Sequence, residues 1–405
     1  MAATPQFSYF LSHSKNPVSQ NRPIWQKTIP LTRKHFEDPL KKGDAISITH
    51  GDYFQAARFF LEQNDFEMIT RVLSKRLQQD IETDDLKEIR IFLEKHGEFY
   101  HPSRIEAVTC GKKISLVLNV AISESGKAHI KGEYQFLEKL GEKYPASYLP
   151  QVYGRGEVDI EDTLKVRMLL GEWFDEYYEF HISRDKSDKK DKIIVWDTQR
   201  GNFFLSADQS LKLYALAARI LTHFYDLESF AQIFPWHHAA GDFVVKVENN
   251  KIDLKLITVR RYASIFKSLG DLKHSENDAE LILQAMLVFL LNLSIRMRLD
   301  RRDGAGDIVW ADESAVLGTL IGFLEGLALK PHIPMLPDSP DRCFEYYLSL
   351  CTEADLLDLS LALLNSFNPK AEEVSVIKPH LKEHVETLYR SICQYNASAA
   401  FWCSR

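Results

Sequence analysis

Residues 114–122 read Ile-Ser-Leu-Val-Leu-Asn-Val-Ala-Ile. A run this apolar has no side to turn toward water. It is satisfied as a strand covered on both faces, so the chain has to supply a sheet and something to lay over it. Ile105 to Val108, joined to that run by Thr109-Cys-Gly-Lys-Lys113, reads as its hairpin partner. A polar break from Ser123 to Lys127 follows. A helical pattern then spans Gly132 to Leu140 and stops before Pro145. Two more strands are expected at Leu149–Gly154 and Val166–Leu170.

Around this sheet the texture differs. Residues 1 to 45 carry Pro5, Pro17, Pro23, Pro30 and Pro39 without a sustained period and read as an extended arm. Thr49 to Lys95 has apolar residues at three- and four-residue spacing and reads as two or three helices, with Thr83 as one N-cap. Past residue 174, the charged run Arg184 to Lys192 reads as a solvated loop. A helix is expected over Leu211–Phe230. Strands at Phe243–Val247 and Ile252–Val259 flank an Asn-Asn turn. From Asp278 onward every pattern is helical. Three parts follow: an arm and helical module at 1–100, a small strand-rich lobe at 101–174, and a large mainly helical lobe at 175–405. A chain of 405 residues is too long for one ordinary core in any case.

Composition excludes some function classes. The net charge of −7 leaves no chain-wide surface for nucleic acid, and no nucleic-acid partner is expected. The five cysteines are odd in number and lack Cys-x-x-Cys spacing. That argues against a disulfide framework or a zinc knuckle and for a reducing, cytoplasmic setting. Met1 to Trp25 has no basic segment followed by an apolar run, so no secretory signal is expected. Leu281–Leu293, broken by Gln284 and Asn292, is too short for a bilayer and reads as a buried helix, so no membrane span is expected.

The densest chemistry lies in Phe234-Pro-Trp-His-His-Ala-Ala-Gly-Asp-Phe-Val-Val245. His237, His238 and Asp242 crowd a short connection between a helix and a hairpin, where working groups are commonly held. Imidazole can act as a base near neutral pH, and an aspartate can hold magnesium. The same residues also make a braced turn, with one histidine bonded to a carbonyl and Gly241-Asp242 feeding the hairpin. Asp197 and Asp253 read as exposed strand-end carboxylates. Arg260 and Arg261 read either as a bidentate anion grip or as salt-bridge partners.

The order of elements from about 101 to 330 resembles the protein-kinase-like fold, in its aminoglycoside phosphotransferase and choline kinase branch. The resemblance implies an α+β, two-lobed architecture, with a small antiparallel-sheet lobe, a large helical lobe and, here, an N-terminal helical extension. It implies ATP and Mg as cofactors. In that fold a third-strand lysine holds the phosphates, a helix glutamate orients it, and a loop asparagine and a later aspartate hold magnesium. Tried position by position, the lysine falls on Asn119 and the glutamate on Glu133. Glu172 sits in the hinge beside the adenine. Asp242 takes the metal-binding asparagine's place, His237 falls at the acceptor-positioning aspartate with His238 beside it, and the second metal aspartate falls on Thr258. Three function classes stay open. One is ATP-dependent phosphotransfer to a small-molecule hydroxyl. Another is a catalytically inactive pseudokinase that responds to a small-molecule ligand or a protein partner. The third is a helical scaffold unrelated to kinases.

Overall fold

The apolar run at 114–122 is an interior strand. The structure, a computed structural model, describes residues 4–12, 14, 16–29, 48–97, 99–160, 164–237, 241–264 and 278–403. The class is mixed α+β. The chain divides into two compact units, Met1–Lys143 with Pro150–Asp175, and Tyr144–Leu149 with Glu176–Arg405.

The first unit contains β1 (Gln6–Leu11), α1 (His50–Leu77), β2 (Leu86–Leu93), β3 (His101–Thr109), β4 (Lys112–Ala121), α2 (Glu124–Lys143), β5 (Val152–Ile160) and β6 (Leu164–Glu172). Its six strands form one sheet in the order β1-β2-β3-β4-β6-β5. Only the β1–β2 pair is parallel. Strand β4 lies between β3 and β6, and alternation gives it two covered faces. Leu116, Leu118 and Val120 join the core beneath Phe54, Phe60 and Ile69 of α1. On the other face Ala121 packs with Ile130 of α2 and Leu169 of β6. The segment α1 is two helices joined at Gln63–Phe66, where Asn64, Asp65 and Phe66 take positive φ; it covers one side of the sheet and α2 the other.

Two expectations fail here. The helical reading of Thr49–Lys95 holds only to Leu77, and Leu86–Leu93 is strand β2. Leu86, Ile89 and Leu93 suit helical spacing as well as strand spacing, but Ile89 and Ile91 alternate with polar neighbours and are buried on one side. Thr83 caps no helix and opens a short 3-10 turn instead. Consequently residue 100 is no boundary. The arm, α1 and β2 belong to the same sheet unit as residues 101–174. Helix α1 starts with a capping box: the Thr49 backbone N–H donates to Asp52 Oδ2 (2.8 Å) and the Asp52 N–H donates to Thr49 Oγ1 (3.1 Å). The arm is fixed by Trp25, which is buried and stacks on Phe54.

The second unit opens with a three-stranded sheet, β7 (Phe180–Arg184), β8 (Asp191–Val195) and β9 (Phe203–Phe204). Helix α3 (Ala207–His223) follows, capped by Ser206 with Gln209. Then come β10 (Ala231–Ile233), the hairpin β11 (Phe243–Glu248) and β12 (Lys251–Leu256), and β13 (Tyr262–Ser264), which returns to pair with β10. Helix α4 (Asp278–Met297) precedes a small ribbon, β14 (Leu299–Arg301) and β15 (Ile308–Trp310). The chain ends with α5 (Ser314–Ala328), α6 (Pro340–Leu350), α7 (Glu353–Asn365) and α8 (Glu372–Cys403). By length and composition the helix over Ala279–Met297 could cross a membrane, which corrects the shorter run read from the sequence. Two thirds of it (67%) is buried against this unit, as in a core helix. Helices α3 and α5 meet backbone to backbone at Gly318, Gly322 and Gly326.

Burial sets a pH dependence. His101 in β3 and His384 in α8 are buried. Loss of hydration drives their pKa values down, to about 4 for His101 and to about 3 for His384. Unfolded, both titrate near ~6.5. Below that pH the unfolded chain binds protons that the fold refuses, so this stability is complete above about 6.5 and is lost as pH falls toward the folded values. Each histidine is expected to remove up to about 2 kcal/mol between pH 7 and pH 5. Urea denaturation at a series of pH values checks this, and His384→Gln should flatten the slope. An unchanged slope would rule out His384 as a contributor.

Candidate functional site

The loop from Phe234 to Asp242 is held at both ends. On one side, β10 pairs with β13, and the Phe234 N–H donates to the Arg261 carbonyl (3.1 Å). On the other, the Asp242 carbonyl accepts from the Ile257 N–H (2.8 Å) at the foot of the β11–β12 ladder. Between these clamps Asp242 is buried, with 1% of its surface exposed. Its carboxylate accepts three donors. Arg260 reaches both oxygens with its two terminal nitrogens, 2.5 Å for the Nη2–Oδ1 contact, and the His237 backbone N–H donates to Oδ2 (2.8 Å).

This environment does not suit a divalent metal. Magnesium needs carboxylate lone pairs at about 2.0–2.1 Å in octahedral geometry. Here the lone pairs face a guanidinium that would have to be expelled first. Among the described residues no group of three His, Cys, Asp or Glu side chains is placed to hold a metal ion. Asp242, expected from the sequence to hold a metal, here braces the loop through Arg260 and the His237 N–H. Thr258 is buried just past β12 and brings no carboxylate. The His237 residue is exposed at the surface. His238 lies outside the described residues.

Sequence reasoning missed Arg296 of α4. Its guanidinium packs on the rings of Phe234 and Phe367, the central carbon 4.7 Å from each centroid, and Nε donates to Asn292 Oδ1 (3.1 Å). Burial lowers its pKa, and Glu373 acts against that. The signal was present in the sequence: Arg296 is the one Lys or Arg in the apolar stretch from Leu281 to Met297.

Asn119, Glu133 and Glu172 lie in the first unit. Asn119 on β4 is buried, and alternation puts it on the face that carries Ala121, the side covered by α2. Glu133 on α2 is buried and accepts a long bond from the Tyr100 hydroxyl (3.4 Å). Glu172, at the end of β6, accepts from Arg76 of α1 (2.6 Å) and from the Gln151 N–H (3.2 Å), which ties helix to sheet. Asp197 is also not as expected. It is buried and accepts from the N–H groups of Gln199 and Arg200 (2.8 Å each) and from Arg200 Nε (2.7 Å). Burial alone would raise its pKa, but the bonds from Arg200 and Gln199 more than offset this and hold it below the usual carboxylate value. Asp253 is the exposed carboxylate expected, bonded by the Tyr177 hydroxyl (2.5 Å).

No protein-family model matches the sequence, and no curated protein matches it. Among solved structures the chain has a likeness to one described as "WaaP in complex with acyl carrier protein". The TM-score is 0.29 and the identity 10%, over 68% of this chain and 88% of that one.

Proposed function

We propose that this chain is a kinase-like module that works by binding and does not transfer phosphoryl groups. The kinase-like part of the reading is supported by the build of the first unit. Three antiparallel strands, β2, β3 and β4, lead into α2, and β5 and β6 follow. The third of those strands carries Asn119, and the helix after it carries Glu133. In the kinase-like arrangement those two places belong to the phosphate-holding lysine and its orienting glutamate.

The observation that carries the non-catalytic part is Asp242, whose two carboxylate oxygens are both bonded to Arg260. Phosphoryl transfer is catalysed by positioned charge: a cation on the phosphates and carboxylates on magnesium. An asparagine replaces the cation, a threonine replaces one carboxylate, and the remaining carboxylate is neutralised. Each such loss costs about 3 kcal/mol of barrier. Together they remove most of the ~8 kcal/mol that marks a modest enzyme.

A thermal-shift titration with ATP, ADP and GTP, each with and without magnesium, tests this. Ligand at a hundredfold excess over its Kd adds about 2.7 kcal/mol of stability, which is readily seen. No magnesium-dependent shift is expected with any of the three. A magnesium-dependent shift that disappears in Asp242→Ala would overturn the reading and restore phosphotransfer.

A further inference from the structure

Arginine is seldom buried without an anionic partner, because the cost of drying its charge has to be offset. Arg296 departs from that rule. Among the described residues no carboxylate forms an ion pair with it. Glu373 acts on it only through space, and its one hydrogen bond goes to a neutral amide, Asn292. The rings of Phe234 and Phe367 both pack on the guanidinium, each with its centroid 4.7 Å from the central carbon. What remains is the outer edge with its two terminal nitrogens, and the residue is half-buried, so that edge is reachable from solvent. A guanidinium packed against two rings and bonded through Nε to Asn292 is restrained. It presents a fixed two-pronged donor, the geometry that carboxylate and phosphate oxygens match.

The surroundings favour an anion. The His237 residue has exposed surface, but burial of its ring lowers its pKa, and the charges of Asp242, Arg260, Arg296 and Glu373 also act on it. Asp242 is already neutralised by Arg260, so its charge does not oppose an incoming anion. Among the described residues Glu373 is the one carboxylate that acts on Arg296.

We propose that the edge of Arg296, with His237 beside it, is a binding site for an oxyanion, a carboxylate or phosphate group taken in the plane of the guanidinium. The site concerns the same loop as the proposed function but does not depend on the kinase-like reading.

The test is calorimetric titration of the full chain with inorganic phosphate and, separately, with acetate, in chloride buffer at constant ionic strength. Saturable binding of at least one is expected. Phosphate alone assigns a phosphoryl ligand, and acetate alone assigns a carboxylate; both results support the site. Arg296→Lys keeps the charge and loses the fork, and should bind about tenfold more weakly. His237→Ala should bind severalfold more weakly. Glu373→Gln should tighten binding. Two results overturn the proposal: no saturable binding of either anion, or binding unchanged in both Arg296→Lys and His237→Ala. A magnesium-dependent nucleotide response would sink the functional reading and leave this site standing. Absence of anion binding would do the reverse.

Discussion

Asp242→Asn is expected to destabilise the second unit by about 3–5 kcal/mol, the usual cost of removing one partner from a buried, hydrogen-bonded ion pair. The carboxylate is 1% exposed, and Arg260 keeps 22% of its side-chain surface, so water cannot fully replace the lost partner. The amide keeps the size of the carboxylate. It can accept the His237 N–H or one arm of Arg260, but its NH2 end opposes the other arm. Urea denaturation of the single variant, of Arg260→Gln and of the double variant measures the coupling. The double variant should recover part of the loss, because no charge is then left unpaired. A metal-binding aspartate would behave differently, since removing it from an empty site relieves repulsion and seldom costs stability. A loss below about 1 kcal/mol would mean that the pair does not brace the loop.

Gly322→Ala is expected to cost about 2–4 kcal/mol, even though the same change in an open helix gains up to ~1 kcal/mol. A Cβ at residue 322 of α5 would stand 1.9 Å from the Ala215 carbonyl oxygen and 2.8 Å from its Cα, both backbone atoms of α3. Backbone cannot rotate out of the way, so the two helices have to separate. Gly318 and Gly326 share that seam, where a Cβ would meet Leu211 and Tyr214 or Thr222. Gly141→Ala in α2 is the internal control, since a Cβ there meets nothing within 4 Å. Thermal denaturation should show opposite signs for the two variants. Matching signs would mean that the α3–α5 contact yields without cost.

Much of the fold could be read in advance where period and length agreed. The apolar run around Leu118 has only one satisfactory setting, and the helices from α4 onward carry long 3.6-residue patterns. Misreadings fell where a short segment suits two periods. Leu86, Ile89 and Leu93 allow a helix, and only pairing with β1 and β3 decides for strand β2. The helix expected through Phe230 stops at His223, because Asp226 accepts from the N–H groups of Glu228 and Ser229 and turns the chain toward β10. At the site, residue types were legible but partners were not. Arg260 is 18 positions from Asp242, and nothing local indicates that it folds back onto that carboxylate. Arg296 lay inside a pattern that looked like plain core. The α5 glycines at four-residue intervals are a sequence sign of close helix contact.

The route of the chain through its two units has a consequence for how the protein is made and divided. Tyr144–Leu149 belongs to the second unit, where the Tyr148 carbonyl accepts from the Leu256 N–H (2.9 Å), although the first unit resumes at Pro150. The chain thus changes unit three times, and no single cut separates the halves. A fragment starting at Glu176 lacks a piece of its own core, while one ending at Asp175 carries that piece without its acceptor's partner. On the ribosome the first unit is finished while six residues of the second, already synthesised, wait for Leu256 to emerge. Dissection into working halves therefore calls for a circularly permuted or co-expressed design, because truncation at the apparent border leaves both products incomplete.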